Sequence, residues 1–322
     1  MVSDDDLVRG LGQTLHTTHF QSLGERYEGK VRDCYSRKGK RLIVVTDRVS
    51  AFDRVLGTIP FKGQVLNRLS HWWFQQTADV VPNHVLRLVD PCVMECVECE
   101  PFAAEFVVRA YATGTTSTSL WTHYERGARV FCGHVLPDGL TKHQALPTPI
   151  VTPATKAPAG SHDESISGEA LVARGHMSRG AFDAVSQLAL ALFARGSAIA
   201  QSRGLLLVDT KYEFGRRSDG AIVVIDEVHT PDSSRFWDAA SYQTRIANGQ
   251  DPESLDKDYL RRYFLGLGYQ GDGPVPAMTD EVRIEAARRY IAAFERITTT
   301  PFVPNVEEPL SRIERALSVG VI

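Results

Sequence analysis

The chain has 322 residues, 43% of them hydrophobic and 23% charged, with a formal net charge of −3 at pH 7. That is the composition of a globular protein with a substantial core and about two domains, and it leaves no basic footprint for nucleic acid. The Met-Val-Ser-Asp-Asp-Asp start lacks the basic and apolar regions of a signal peptide, and no apolar run approaches the roughly 18 residues of a membrane span.

The expected location is therefore cytoplasmic, with neither nucleic acid nor membrane as partner. Five cysteines, an odd number, fit a reducing compartment better than a disulfide framework. Cys92, Cys96 and Cys99 have a CxxxCxxC spacing but no fourth ligand nearby, so buried strand cysteines are a simpler reading than zinc.

Residues 7–15 read as a short helical lead-in. Residues 27–46 then read as a hairpin, with YEGKVRDCY and RLIVVT as strands and a turn at 36–40. Gly29 and Lys30 stand at the start of its first strand, where a glycine lets backbone approach a ligand and a lysine reaches phosphate. A basic edge strand is the plainer alternative. The polar stretch 47–53 (DRVSAFD) follows the second strand directly, a common place for ligand contacts. Residues 60–64 lead into a helix whose core-facing stripe holds Val65, Leu69, Trp72 and Trp73.

Strands return between residues 80 and 108 as HVLRLV, CVMECV and EFVVRAY. Arg109 ends the last of them, just before the Gly/Thr/Ser loop 111–117. An arginine there suits an anion, because guanidinium matches phosphate bidentately; a surface arginine beside an ordinary turn fits equally well. The Pro-, Gly- and Thr-rich segment from 136 to 162 shows no period, and a loop of that length is usually functional or disordered. Lys156, His162, Asp163 and Glu164 are its chemical candidates. A helix over 179–203 supplies core through Phe182, Val185, Leu188 and Leu192 and ends at Gly204. After a further hairpin, the polar loop 231–235 brings a second anion-binding candidate, Arg235. Helices close the chain over 255–265, 280–297 and 309–317.

That further hairpin, 205–237, organises the rest. Asp219-Gly220 suits a two-residue type I′ loop, in which both central positions need φ > 0. With those two residues as the loop, Glu213 lies directly opposite Asp226 on a face shared with Asp209 and Lys211. Val208, Tyr212, Phe214 and Ile225 take the other face. Opposed carboxylates repel unless a cation sits between them, and paired hard oxygens beside a lysine suit magnesium held against phosphates. The plain alternative is a solvated, salt-bridged face, but the acids lie inside the apolar runs LLLVD and IVVID.

Taken together, the segments resemble the SAICAR synthetase family. The resemblance rests on Gly29-Lys30-Val31-Arg32-Asp33, DRVSAFD (47–53), KGQVL (62–66), VRAYATGTTSTSLW (108–121) and TPATKA (152–157). It continues through HDESIS (162–167), DTKYEFG (209–215), DEVHTPDSSRFW (226–237) and LDKDYLR (255–261), in family order. One departure is Thr115, which stands after Gly114 where the family has serine.

The resemblance implies an α+β, two-lobed SAICAR-synthase-like fold similar in layout to kinases and ATP-grasp proteins. An antiparallel N-terminal lobe, residues 1–105, would cover the ATP phosphates. A mixed α/β lobe, 106–322, would hold the magnesium and substrate sites and the C-terminal helices. The implied activity is ATP-dependent joining of L-aspartate to carboxyaminoimidazole ribonucleotide (CAIR) in purine biosynthesis, with ATP and magnesium as cofactors. Gly29, Lys30, Arg32 and Lys211 would meet the ATP phosphates, and Glu213 and Asp226 would bind magnesium. Arg109, Gly114, Thr115, Asp232, Ser234 and Arg235 would bind the ribonucleotide. Asp232 and Asp163 are candidate bases, and a homo-oligomer stays open. Alternatives are a small-molecule or lipid kinase, which would need a hydroxyl acceptor, and a non-catalytic nucleotide-binding regulator, which would have no need of Lys30, Lys211, Glu213 and Asp226 together.

Overall fold

The computed structural model describes residues 2–52, 54–116, 118–156, 164–255 and 258–318. The N-terminal part begins with α1 (Asp4–Leu11), capped by Ser3 in a capping box with Asp6. Strands β1 (Glu25–Glu28), β2 (Arg32–Arg37) and β3 (Lys40–Val45) follow. The short pair β4 (Arg48–Ala51) and β5 (Arg54–Thr58), helix α2 (Lys62–Gln76), and strands β6 (Val85–Asp90) and β7 (Val93–Val97) complete it. The strands form an antiparallel sheet in the order β1-β2-β3-β7-β6.

The expected hairpin over 27–46 is present, with a correction. YEGKVRDCY is two strands, and Gly29-Lys30-Val31 is the turn between them, closed by Gly29 N donating to Arg32 O at 2.8 Å. The second turn is Lys38-Gly39, both at positive φ (53° and 75°), which joins the directly paired Arg37 and Lys40.

The second sheet is built on two long strands, β8 (Glu100–Tyr111) and the later β12. Between them come α3 (Leu120–Glu125), the pair β9 (Val130–Phe131) and β10 (His134–Val135), β11 (Ala145–Thr155), α4 (Gly168–Ala173) and α5 (Arg179–Ser202). Then follow β12 (Leu205–Arg216), β13 (Ile222–Ile225), β14 (Ser234–Asp238), α6 (Ala239–Ala247), α7 (Asp258–Gly266), α8 (Asp280–Thr298) and α9 (Pro309–Ser318). The order is β11-β8-β12-β13, with β14 pairing the first half of β12. β8 starts the second sheet, so that sheet begins before the expected division after residue 105.

Alternation along β8 and β12 separates two faces. Phe106, Val108, Tyr212 and Phe214 are fully buried in the main core with Val185, Ala189 and Leu192 of α5. The other face carries Glu105, Val107 and Arg109 beside Glu213, Lys211 and Asp209, paired in that order. The N-terminal sheet also has two faces: Cys34, Ile43, Val45, Met94 and Cys96 join the main core, while Tyr35, Leu42, Val44 and Val93 pack with Ile313 and Leu317 of α9. Cys92, Cys96 and Cys99 enter three separate hydrophobic clusters rather than converging.

Candidate active site

The hairpin that organised the sequence reading has a different register from the one expected. Its loop is three residues, Ser218-Asp219-Gly220, with Gly220 at φ 85° and Arg217 N donating to Ala221 O at 3.0 Å. Glu213 therefore pairs with Ile225, not Asp226. Ile225 shares the face of Glu213 and packs with Cys99 and Val223, so its expected place beside Tyr212 and Phe214 is also corrected. A one-residue slip ordinarily sends a side chain to the opposite face. Asp226 escapes that because it lies just past β13 at φ 69°, a left-handed conformation that re-aims its carboxylate. Its Oδ2 is 3.6 Å from Lys211 Nζ.

The carboxylate directly opposed to Glu213 is Glu105 of β8, which the sequence reading did not single out. Lys211 Nζ lies 2.6 Å from Glu213 Oε1 and 3.3 Å from Glu105 Oε1. Lys156, at the end of β11, donates to the other oxygen of Glu213. Arg32 Nη1 reaches Asp226 Oδ1 at 2.5 Å, and its Nη2 reaches Glu227 Oε1 at 2.8 Å, joining the two sheets across the site. Burial opposes charge on Lys211, but Glu213, Glu105 and Asp226 outweigh it and hold the ammonium well above its ordinary pKa. Burial would likewise raise Glu213, yet Lys211 and Lys156 keep its carboxyl well below the usual range. The result is a set of carboxylates, Glu105, Glu213 and Asp226, each paired with a cation. Such a donor set suits magnesium and polyphosphate, and suits neither thiolate nor imidazole metals.

The turn bearing Gly29 and Lys30 hangs beside this cluster through Arg32. Its backbone is fixed from below by Arg48, only 2% exposed, which donates to Gly29 O and Lys30 O, each at 3.0 Å. Arg48 also pairs with the buried Asp33 at 2.9 Å. The turn backbone is thus held while the Lys30 side chain is exposed. We expect Lys30→Ala to lower turnover at least tenfold and to leave the melting temperature within about 1 °C, read by steady-state rates beside a thermal melt. A large loss of stability with normal rates would mark it as an edge-strand residue.

Four residues along β12 the chemistry changes. Asp209 sits between Arg109 of β8 and Arg235 of β14, its register partners on either side. Arg235 Nη2 is 3.0 Å and Arg109 Nη1 3.6 Å from Asp209 Oδ2. Arg109 Nε also donates to Thr152 Oγ1 at 2.9 Å. Burial lowers the Arg109 pKa, with Asp209 opposing and Arg235 adding to that effect; an anion arriving there would offset the cost. Gly114, at φ 107°, closes the group: a Cβ on it would lie 2.4 Å from Ser119 Cβ and 3.6 Å from Arg235 Nη1. Only a glycine brings the loop backbone this near.

The remaining expectations divide. Thr115 is exposed on the same loop. Ser234 is buried and donates to Thr210 Oγ1 at 2.8 Å, so it braces β14 against β12. Asp232 has both oxygens engaged, by Lys62 Nζ at 2.7 Å and by the Tyr290 hydroxyl at 2.6 Å. That buried pair ties α2 to the loop and α8. Glu164 pairs with Arg174 at 2.8 Å. His162 and Asp163 lie outside the described residues.

The SAICAR synthetase family model matches residues 25–276. The phosphoribosylaminoimidazole-succinocarboxamide synthase of Legionella pneumophila (strain Lens) is 48% identical over 282 residues, covering 87% of this chain and 90% of its own. The chloroplastic enzyme of that name from Arabidopsis thaliana is 46% identical over 317 residues, covering 98% of this chain and 77% of its own. Among solved structures, a SAICAR synthase from Saccharomyces cerevisiae complexed with SAICAR superposes with a TM-score of 0.78 at 30% identity, over 90% of this chain and 100% of that one. A SAICAR synthetase in complex with ADP shares the fold, with a TM-score of 0.67 at 24% identity over 87% and 100% of the two chains.

Proposed function

From the premise that the chain belongs to the SAICAR synthetase family, we propose how its residues divide the family's reaction. That reaction is the ATP-dependent joining of L-aspartate to CAIR, giving SAICAR, ADP and phosphate in purine biosynthesis. The fold is the two-lobed α+β fold of that family.

A carboxylate is a poor electrophile. Phosphoryl transfer to a CAIR carboxylate oxygen forms an O–P bond, breaks the bond to ADP, and leaves an acyl phosphate. The aspartate amine then attacks the acyl carbon, and the C–O bond to phosphate breaks as the amine proton departs. Such chemistry rests on positioning and charge neutralisation rather than on a triad or a reactive thiol.

We assign the phosphate-covering turn to Gly29, Lys30 and Arg32, and the phosphate-facing cation on the sheet to Lys211. Glu213 and Asp226, with Glu105 beside them, would hold magnesium. The metal would supply neutralisation of the phosphoryl oxygens when bound. What supports this reading is the position of Lys211 among Glu105, Glu213 and Asp226: one lysine set against three acids, two of them directly opposed across β8 and β12, leaves an excess of negative charge that a divalent cation would offset. The lobe division is assigned with it, the turn on residues 1–105 and the sheet face on 106–322 apart from Glu105. The proposed location is cytoplasmic; among the described residues no helix is long and apolar enough to cross a membrane.

Arg109 and Arg235, with Gly114 and Thr115, are assigned to the ribonucleotide phosphate. Arg109→Lys or Arg235→Lys should weaken CAIR by about 1–3 kcal/mol, because the bidentate fork is lost. ATP affinity should stay within twofold. Equal losses for the two ligands in direct binding measurements would remove the assignment. The overall function is tested by a coupled ADP-release assay with each substrate omitted in turn. Full ADP release should need ATP, CAIR and aspartate together; release that continues at the full rate without aspartate would point to a kinase.

A further inference from the structure

His143 belongs to no motif that the sequence reading or the proposed function used. It sits at φ 69°, just before β11, and its imidazole is bonded on both sides. Nδ1 lies 2.9 Å from Thr113 Oγ1, and Nε2 lies 2.8 Å from Asp251 Oδ1, which Lys142 Nζ also approaches at 3.1 Å. With Nε2–H donating to the Asp251 carboxylate, the neutral ring presents Nδ1 as an acceptor to the Thr113 hydroxyl. Burial, partly offset by Asp251, lowers the His143 pKa and favours that neutral form.

The backbone of His143 grips the same loop. Its N donates to Ala112 O at 2.7 Å, and Ala112 N donates in return to Gln144 O at 2.8 Å. Its carbonyl accepts from the Tyr242 hydroxyl at 2.8 Å. The ring meets Trp237 edge-on, with centroids 5.3 Å apart. Trp237 lies two positions beyond Arg235 on β14, and Thr113 immediately precedes Gly114. One residue therefore joins the glycine loop and the arginine strand, the two segments that must keep a fixed separation to enclose an anion.

We infer that His143 is a positioning residue for the ribonucleotide phosphate, setting the Thr113-Gly114 backbone against Arg235, with Asp251 fixing the orientation of its ring. The inference rests on the assignment of Arg109, Gly114 and Arg235 to that phosphate. It places a determinant of CAIR affinity outside the groups that touch the ligand.

The test compares KM for CAIR, KM for ATP, kcat and the melting temperature in three variants of the full chain. His143→Gly removes the ring without straining a left-handed position, and His143→Asn accepts that conformation while returning an amide to the Nδ1 site. Asp251→Ala removes the orienting carboxylate, which is 59% exposed in its side chain, so its loss should cost little stability. His143→Gly should raise KM for CAIR about tenfold, with kcat and KM for ATP within twofold; Asn should recover it to within about threefold, and Asp251→Ala should raise it about threefold. An unchanged KM for CAIR in His143→Gly, equal rises for CAIR and ATP, or no recovery with Asn would overturn the inference. Arg235→Lys is measured alongside. If it leaves KM for CAIR unchanged, the phosphate assignment beneath the inference fails instead.

Discussion

Asp226→Asn and Glu213→Gln should each cut turnover at least about a hundredfold while the protein stays folded. Each removes an anionic group from the proposed magnesium site, where the charge of the transferred phosphoryl group would be neutralised, and groups aimed at developing charge are worth factors of this size. The stability side follows from the ion pairs. Asp226 gives up its charge to Arg32, but Arg32 keeps Glu227 at 2.8 Å, so the loss should be small, on the order of 1 kcal/mol. Glu213 accepts from both Lys211 and Lys156; glutamine keeps one acceptor for Lys211 and turns its amide donor toward Lys156, which lies at the exposed end of β11 and can swing away. Higher magnesium should recover part of the Asp226→Asn loss. Rates near wild type in both variants, beside a fall in melting temperature of many degrees, would make the cluster a structural salt bridge.

Lys211→Met has the other large expected effect, and it tests the acids as a group. Without the ammonium, Glu105 and Glu213 face each other directly across β8 and β12, with Lys156 still bonded to the far oxygen of Glu213. Breaking a buried ion pair costs about 3–5 kcal/mol. The Lys211 side chain is 26% exposed, so a discounted value of about 2–3 kcal/mol is appropriate. For a chain of this size that is roughly 4–10 °C in melting temperature. Magnesium should raise the melting temperature of the variant by more than it raises the wild type, since a divalent cation takes the position between the carboxylates. Turnover should fall by about a thousandfold. A melting temperature indifferent to both the substitution and the metal would show that these acids do not act on one another.

Much of this site is legible in the chain because it lies along one strand. Asp209, Lys211 and Glu213 alternate with Val208, Tyr212 and Phe214, and period two alone assigns them to opposite faces of β12. The neighbouring strand was harder. Asp-Gly supports a two-residue loop and also a three-residue loop ending in a left-handed glycine, so local sequence does not choose between the registers. The chain took the second, and only the left-handed backbone at Asp226 returns its carboxylate to the cluster. Glu105 escaped notice because its partnership with Glu213 joins residues more than a hundred positions apart, and no local period reports such a pairing. The turn at Gly29 was hidden for a related reason. Arg48, which bonds the carbonyls of Gly29 and Lys30, comes from β4, after two intervening strands, while Val31 itself favours a strand. Asp232 shows the reverse limit: its motif points to the substrate, and no local pattern announces its bonds to Lys62 and Tyr290.

In the proposed site Glu213 and Asp226 would hold a divalent cation together with the nucleotide. Manganese(II), a hard cation with the same oxygen preference, reports this directly by the loss of its free-ion electron paramagnetic resonance signal on binding. Titrating it into the wild-type protein with saturating ADP should consume the free signal at micromolar concentrations. Glu213→Gln and Asp226→Asn should each shift that titration to at least tenfold higher manganese. Superimposable titrations for all three proteins would contradict the account and leave the carboxylates as partners of Lys211 and Arg32 alone.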